Sequence, residues 1–381
     1  MHILITVPWG EPLGGAEAML QAVLDGAQQE GHRLELVFFE PGSWPTALAD
    51  AGYRVDVVAA GRLREAHRWA STVTRIARMA RRRDPDLILN WAAKTQLYGA
   101  PAAMLVGMSD RVVWWQQAIP PRGSWLDRCA TQLPAAAIGC YSSASALAQA
   151  QLAPVRRTFV VGAGAPVPVP AAASERMPLE LPTDVPVVGL VGRLQPWKGQ
   201  DRLLQAQVLL RERGHRMHTV IVGGDAYGLS SQYAASLPAL VSELGLTGEV
   251  TLTGQVPDAG PYIEQFDILV NASDPEPFGI VLLEGMSRGV AVVAVDSGGP
   301  SEFIAGGRTG QLAKTGDPSA LADALEPLLV SGARRQEIAT AGRESFMRDF
   351  TDAAMRRRFF GNLQELLDAR HRVSGNGVAA A

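Results

Sequence analysis

At 381 residues the chain exceeds what one core normally organises, and a working size of about 150 residues per domain predicts two domains. Apolar residues at 47% and charged residues at 19% describe a folded globular protein, not a disordered or fibrous one. A formal net charge of -3 argues against a protein devoted to neutralising a nucleic-acid backbone, and two cysteines, Cys129 and Cys140, furnish neither a disulfide framework nor a zinc site.

The opening MHILITVPWG is apolar but lacks the basic start and cleavage site of a secretion signal. No apolar run approaches the roughly 20 residues of a membrane span, so a cytoplasmic protein is expected. His2 to Val7, Leu34 to Phe39, Val55 to Val58, Leu87 to Asn90, Val112 to Trp115 and Thr158 to Val161 read as strands, most of them separated by helical patterns. Short apolar runs alternating with helices indicate parallel strands buried on both faces, an α/β doubly wound domain over residues 1–166. The Pro- and Ala-rich stretch 167–185 reads as a linker. The alternation restarts over 186–350 with Val187 to Val191, Thr219 to Val222, Val250 to Thr253, Ile268 to Val270 and Val290 to Val295 as strands. Helices are expected near Arg202 to Arg213, Ala234 to Leu244, Val281 to Arg288, Ser319 to Leu329 and Arg334 to Phe350. A last helix over 351–370 is expected to pack back toward the first domain, and 371–381, ending SGNGVAAA, reads as a disordered tail. Ligands bind beyond the carboxyl ends of parallel strands, so two such domains facing each other would form a deep cleft lined by post-strand loops.

Two of those loops carry the chemistry. After Ile268 to Val270, SDPEPFGIVLLEGMSRG places Glu276 in a loop and Glu284 in the following helix. Between them the helix entrance at Phe278, Gly279 and Ile280 offers unpaired amides and the positive end of a dipole to a diphosphate. After Val187 to Val191, GRLQPWKGQ puts Arg193 and Lys198 in a turn leading into a helix, where two cations can clamp a pyrophosphate and stabilise charge growing on a leaving group. Each feature alone has a plain reading as charged residues in solvated loops; their joint occurrence is the signal.

The blocks GRLQPWKG, IVGGD, TGQV, EPFGIVLLEGMSRGVAVVA and GGPSEFI, in this order, resemble family-4 retaining glycosyltransferases of the GT-B fold over nearly the whole chain. The resemblance implies that Arg193 and Lys198 hold the diphosphate of a nucleotide sugar, that Glu284 holds its ribose, and that Glu276 touches the transferred sugar. It implies further donor contacts at Gly223 and through the backbone near Gln255 and Val256. In the first domain WGEPLGGAEAML matches the family's Gly-rich loop, with Gly14 and Gly15 approaching the donor. No cofactor is expected, because the nucleotide sugar is a substrate, and no metal.

VVWWQQAIPP resembles the segment in which the family commonly carries a histidine at the place of Gln117. A glutamine hydrogen-bonds but takes up no proton near neutral pH. In the mechanism proposed for such enzymes the departing phosphate accepts the acceptor's proton, so activity does not depend on a histidine here. The alternatives are a sugar-nucleotide epimerase of the same fold, disfavoured because Gln117 stands where a proton carrier is wanted, and a transferase-like binding protein without turnover. A dinucleotide fingerprint after the first strand is missing, and Asp84-Pro85-Asp86 precedes a strand, the wrong end for a metal-holding Asp-x-Asp.

A basic segment, Arg62 to Arg83, has Trp69, Val73, Ile76 and Ala80 at helical spacing. It reads either as a packed stripe with a solvated cationic face or as a peripheral contact with anionic membrane. Tryptophans at strand ends, Trp9, Trp91, Trp115 and Trp125 with Lys94 beside them, suggest an aromatic acceptor site. The acceptor itself, whether lipid-linked sugar, glycan or small natural product, is not legible.

Overall fold

The computed structural model describes residues 1–152, 156–169, 179–225, 228, 230–314 and 316–378, with side chains as far as residue 372. Two compact units emerge: Met1–Gly162 together with the chain from Ala353 onward, and Ala163–Asp352.

The first unit holds seven parallel strands: β1 (His2–Val7), β2 (Arg33–Phe38), β3 (Arg54–Val57), β4 (Leu87–Asn90), β5 (Val112–Gln116), β6 (Ala137–Cys140) and β7 (Thr158–Val160). Their order in the sheet is β3-β2-β1-β4-β5-β6-β7. β1 lies between β2 and β4 with His2 opposite Arg33 and Ile3 opposite Leu87, so the run HILITV is fully enclosed and can be apolar on both faces. The helix Ala66–Arg83 turns Val73, Ile76, Ala77 and Ala80 into a core shared with Leu4, Val37 and Ile88. Two strands went unread in the sequence pattern, β6 here and the short Gln311–Ala313 strand of the second unit. β6 reads AIGC, and its glycine is there for a reason: a Cβ at Gly139 would sit 2.4 Å from the Trp115 ring, which occupies that space.

The second unit repeats the plan with β8 (Val187–Val191), β9 (His218–Val222), β10 (Val250–Gly254), β11 (Ile268–Asn271), β12 (Ala291–Val295) and β13 (Gln311–Ala313), ordered β10-β9-β8-β11-β12-β13. Every strand pairs in parallel with its neighbour. Val188, Leu190, Ile268 and Val270 meet Leu203, Leu210, Leu321 and Leu325 on one face of the sheet. Ile221 meets Leu204, Leu237 and Leu246 in a second core. Asp317 and Ser331 cap the helices Pro318–Val330 and Gly332–Asp349 by accepting from the amides of Ala320 and Arg334, as helix starts written with Asp and Ser require.

The last helix, Asp352–Val378, packs on the first unit. Phe360 stacks on His32 with centroids 3.8 Å apart, Phe359 packs against Trp91 and Trp115, and Arg356 pairs with Glu30 at 3.0 Å. It runs well beyond Ala369, with no proline to stop it, so residues 371–378 are helical where a tail without structure was expected; the final three lie outside the described residues, as do residues 170–178 of the linker segment. No described helix is long and apolar enough to cross a membrane.

Candidate active site

Both sheets run outward in opposite directions from a central pair, β1 and β4 in the first unit and β8 and β11 in the second. Loops leaving such a pair at the carboxyl edge diverge to opposite faces and open a crevice between them. In the second unit those two loops are the ones that carry Arg193, Lys198 and Glu276.

They are joined by an ion pair. The Lys198 ammonium donates to Glu276 Oε2 at 2.8 Å, with the side chains 18% and 8% exposed, and it also lies 4.1 Å from the centre of the Trp197 ring. Asn271 Nδ2 donates to the same carboxylate oxygen at 3.2 Å. Burial pushes the Glu276 carboxyl up, but the Lys198 charge and hydrogen bonds from Lys198, Ser273 and Asn271 outweigh it and hold the group below the ordinary carboxylate range. Glu276 is therefore ionised and fixed. Its backbone is fixed too, because its amide donates to Ser297 O at 2.8 Å and its carbonyl accepts from Gly299 at 2.9 Å. The GGP motif after β12 is thus a clamp on the Glu276 loop.

Arg202 staples the two loops from behind, its Nη2 donating to Trp197 O at 3.0 Å and to Ala272 O at 2.8 Å. Gln200, wholly buried, donates to Arg193 O at 2.9 Å and sets the course of the Arg193 turn. The Arg193 guanidinium, half-buried, makes no ion pair or side-chain hydrogen bond among the described residues. A half-buried lysine engaged by one carboxylate, with an unengaged arginine in the same turn, leaves donors available to an anion. The helix Ile280–Ser287 opens after that loop from Gly279 with no side-chain cap; the Leu282 amide donates to Gly279 O at 3.0 Å, and the Ile280 amide has no such partner among the described residues. Phe278 is buried and stacked on Phe303, which anchors the helix entrance.

Glu284 lies on that helix and is half-buried. Its carboxylate makes no hydrogen bond or ion pair among the described residues; burial raises its pKa, Arg288 opposes, and Asp258 and Asp352 add to the rise. A carboxylate left without donors is suited to accept from ligand hydroxyls. Gly223 ends β9 at φ +146 with its amide bonded to Gly254 O, and a Cβ there would lie 2.0 Å from Gly192 O. No other residue fits where β8, β9 and β10 end together. Gln255 follows β10, exposed, with Val256 half-buried after it.

The residues expected from the first unit divide. Gln117 follows β5, half-buried, and its Nε2 donates to the carbonyl of Trp91, which follows β4. It therefore stands at the carboxyl edge of the first sheet, with its amide nitrogen already engaged. Gly14 precedes and Gly15 opens the first helix after β1; the Gly14 backbone is extended, which any residue adopts. Trp9 is half-buried in the same loop, and Lys94 pairs with Glu40 at 3.0 Å. Trp125 is 65% exposed at the start of the helix Trp125–Gln132. Trp91 and Trp115 overturn the aromatic acceptor surface in part. Both have 0% exposure and stack on each other at 5.2 Å, the Trp91 indole donating to Ala16 O, so they are core and offer no face to a ligand. Strand-end position did not distinguish a tryptophan that faces solvent from one that the last helix covers.

Three residues escaped the sequence reading. Asn271 and Ser273 form a formal glycosylation sequon, yet both are buried and hold Glu276; Arg202 was noted only as the start of an expected helix. Asp84 and Asp86, the spurious metal motif, serve structure: Asp84 pairs with Arg111 at 2.6 Å and Asp86 accepts from the His2 amide at 2.8 Å.

Comparison with known proteins bears on the family and the fold. Residues 173–345 match the family described as Glycosyl transferases group 1, a little under half of the chain. Over 354 residues the chain is 26% identical to the lipopolysaccharide core biosynthesis glycosyltransferase LpsE of Rhizobium meliloti, covering 90% of this chain and 93% of that one. It is 36% identical over 161 residues to the D-inositol 3-phosphate glycosyltransferase of Nocardia farcinica, a local match covering 41% of this chain and 36% of the relative. Among solved structures, Anabaena Alr3699/HepE in complex with UDP and glucose superposes with a TM-score of 0.81 at 25% identity, over 95% of this chain and 99% of that one.

Proposed function

This chain is a glycosyltransferase of the GT-B fold, and from that premise we propose that it moves a sugar from a nucleoside diphosphate donor to an acceptor hydroxyl, with retention at the anomeric carbon and without a bound metal. The observation that carries the donor reading is the Lys198–Glu276 pair at the β8–β11 crevice, with an unengaged Arg193 and uncapped helix amides beside it. A diphosphate entering there meets Arg193, Lys198 and the amides of Phe278 to Ile280, while the open carboxylate of Glu284 receives the ribose hydroxyls. Glu276, ionised and held by Asn271 and Ser273, accepts from a hydroxyl of the transferred sugar. As the bond from the anomeric carbon to the phosphate oxygen breaks, negative charge grows on the diphosphate and the two cations and the helix dipole stabilise it. The acceptor oxygen bonds the anomeric carbon on the face the phosphate leaves, and its proton passes to the released phosphate oxygen. No protein base enters this balance, consistent with glutamine at position 117. Uridine is the first base to screen, since HepE is the neighbour solved with UDP and glucose. The name of LpsE favours a glycan among the acceptor classes.

Peripheral membrane contact remains a charge-only proposal. Val73, Ile76 and Ala80 are spent in the core and Arg83 is 7% exposed in ion pairs with Glu35 and Asp56, so the helix has no free apolar face to insert.

The test is calorimetry with UDP and with uridine. Arg193→Ala should weaken UDP by about 10- to 100-fold, the worth of a charge-assisted hydrogen bond, and leave uridine nearly unchanged. Equal affinities of variant and wild type for UDP would remove Arg193 from the site. Retention is read from the anomeric configuration of the first product by NMR.

A further inference from the structure

The opposite edge of the first sheet carries an unassigned cationic pocket. A cavity of 550 Å³ opens there, lined by Arg33, Arg54, Arg75, Arg78, Arg82 and Arg83. Arg33 and Arg54 begin β2 and β3, so this is the amino edge, away from the carboxyl edge that bears Gln117 and Gly14. Two carboxylates face the six guanidinium groups. Glu35, 1% exposed at the base, takes Arg33 at 2.6 Å, Arg83 at 3.1 Å and Arg54 at 3.8 Å, and Asp56 takes Arg83 at 2.6 Å. One buried carboxylate thus gathers three arginines, of which Arg33 and Arg54 stay largely exposed while Arg83 is buried.

Arg75, Arg78 and Arg82 are exposed and make no ion pair or hydrogen bond among the described residues. Their spacing puts them on one face of the helix Ala66–Arg83, toward the same cavity. The helix dipole accounts for cations in the last turn, Arg81 to Arg83, but its effect fades within one turn and does not reach Arg75 or Arg78. Like charges held this close repel unless an anion joins them, and the cavity has the size of a small-ligand site.

We propose that this pocket binds a ligand bearing a phosphomonoester or pyrophosphate, independently of the donor site. Planar guanidinium groups converging from three elements suit the several oxygens of such a group, where a single carboxylate would engage only some of them. The same chemistry is offered by a soluble phosphorylated compound and by a lipid headgroup.

Inorganic pyrophosphate is the probe, titrated calorimetrically into full-length protein carrying Arg193→Ala and Lys198→Ala so that the donor site does not contribute. Binding should persist in that background, and adding Arg75→Ala, Arg78→Ala and Arg82→Ala should weaken it by about tenfold or more. These three side chains are exposed and unpaired, so the melting temperature should hold, and Arg75→Lys/Arg78→Lys/Arg82→Lys should recover part of the affinity. Pyrophosphate binding equal with and without the three arginines, or absent in the donor-site background, overturns the proposal. Co-sedimentation with phosphatidylcholine vesicles, with and without phosphatidic acid, separates the sources. Pelleting with phosphatidic acid that pyrophosphate displaces and the triple variant abolishes places a headgroup in the pocket. Pyrophosphate binding without pelleting assigns the pocket to a soluble compound. Pelleting that saturating pyrophosphate leaves unchanged shows diffuse surface attraction and also overturns it.

Discussion

Replacing Lys198 by methionine keeps an unbranched stem over Trp197 and deletes only the charge that Glu276 depends on. The ammonium sits 2.8 Å from a carboxylate that is 8% exposed, and removing one partner of a buried pair costs about 3–5 kcal/mol. Asn271 and Ser273 still donate to Glu276 and Lys198 is 18% exposed, which argues for the lower end, about 3 kcal/mol. At about 2–4 °C per kcal/mol for a unit of this size, the second unit's melting temperature should fall about 6–12 °C. Adding Glu276→Gln removes the stranded charge and should recover at least about 1 kcal/mol as a coupling energy in the double-mutant cycle. The pH dependence supplies a second reading. In wild type the Glu276 carboxyl is held below its ordinary range, so its contribution is present above the unfolded value and is lost as pH falls through the depressed one. Without Lys198, burial dominates and pushes that carboxyl up, so Lys198→Met should instead lose stability as pH rises through the carboxylate range. Urea titrations of single and double variants across acidic and neutral pH measure both effects. Equal losses in Lys198→Met and in the double variant, with the same pH profile, would refute the view that this pair fixes an ionised Glu276.

Glu284, whose carboxyl is raised by burial and by Asp258 and Asp352, should contribute stability at low pH that is lost as pH rises through its raised folded-state pKa. Glu284→Gln should flatten that dependence while weakening uridine binding by about tenfold, the worth of a hydrogen bond to a charged group, read by calorimetry. Gln117→Ala should lower turnover by about tenfold through lost positioning, Gln117→His should retain transfer, and the wild-type pH-rate profile should lack an ionisation from this position. Unchanged turnover in Gln117→Ala would remove the residue from the site. Gly223→Ala must displace the Gly192 carbonyl and should cost about 2 kcal/mol or more on thermal unfolding, with donor affinity falling alongside; a neutral outcome would mean that the β8–β9 turn is softer than its packing implies.

What the sequence by itself determined was the architecture and the loops from which a candidate site is built. Runs such as ILI in β1 and VVGLV in β8 are apolar on both faces because a strand enclosed by parallel neighbours has no wet face, and that pattern is local. Arg193, Lys198, Glu276 and Glu284 were legible as candidates because charged residues in post-strand loops are placed where a parallel sheet receives its ligand. The tertiary structure decided which groups are engaged. Lys198 and Glu276 lie far apart in the chain, and only the adjacency of β8 and β11 brings them to 2.8 Å and turns Asn271 and Ser273 from a chance sequon into the supports of a buried carboxylate. Trp91 and Trp115 shared the strand-end position of Trp9, and it took Phe359 of the last helix to seal them in the core. The arginines of residues 62–83 read as one cationic face, but Glu35 on a strand distant in sequence draws Arg83 inward and leaves Arg75, Arg78 and Arg82 open. Periodicity reports a residue's own environment; burial and pairing are properties of two segments at once, and only the folded sheet says which segments meet.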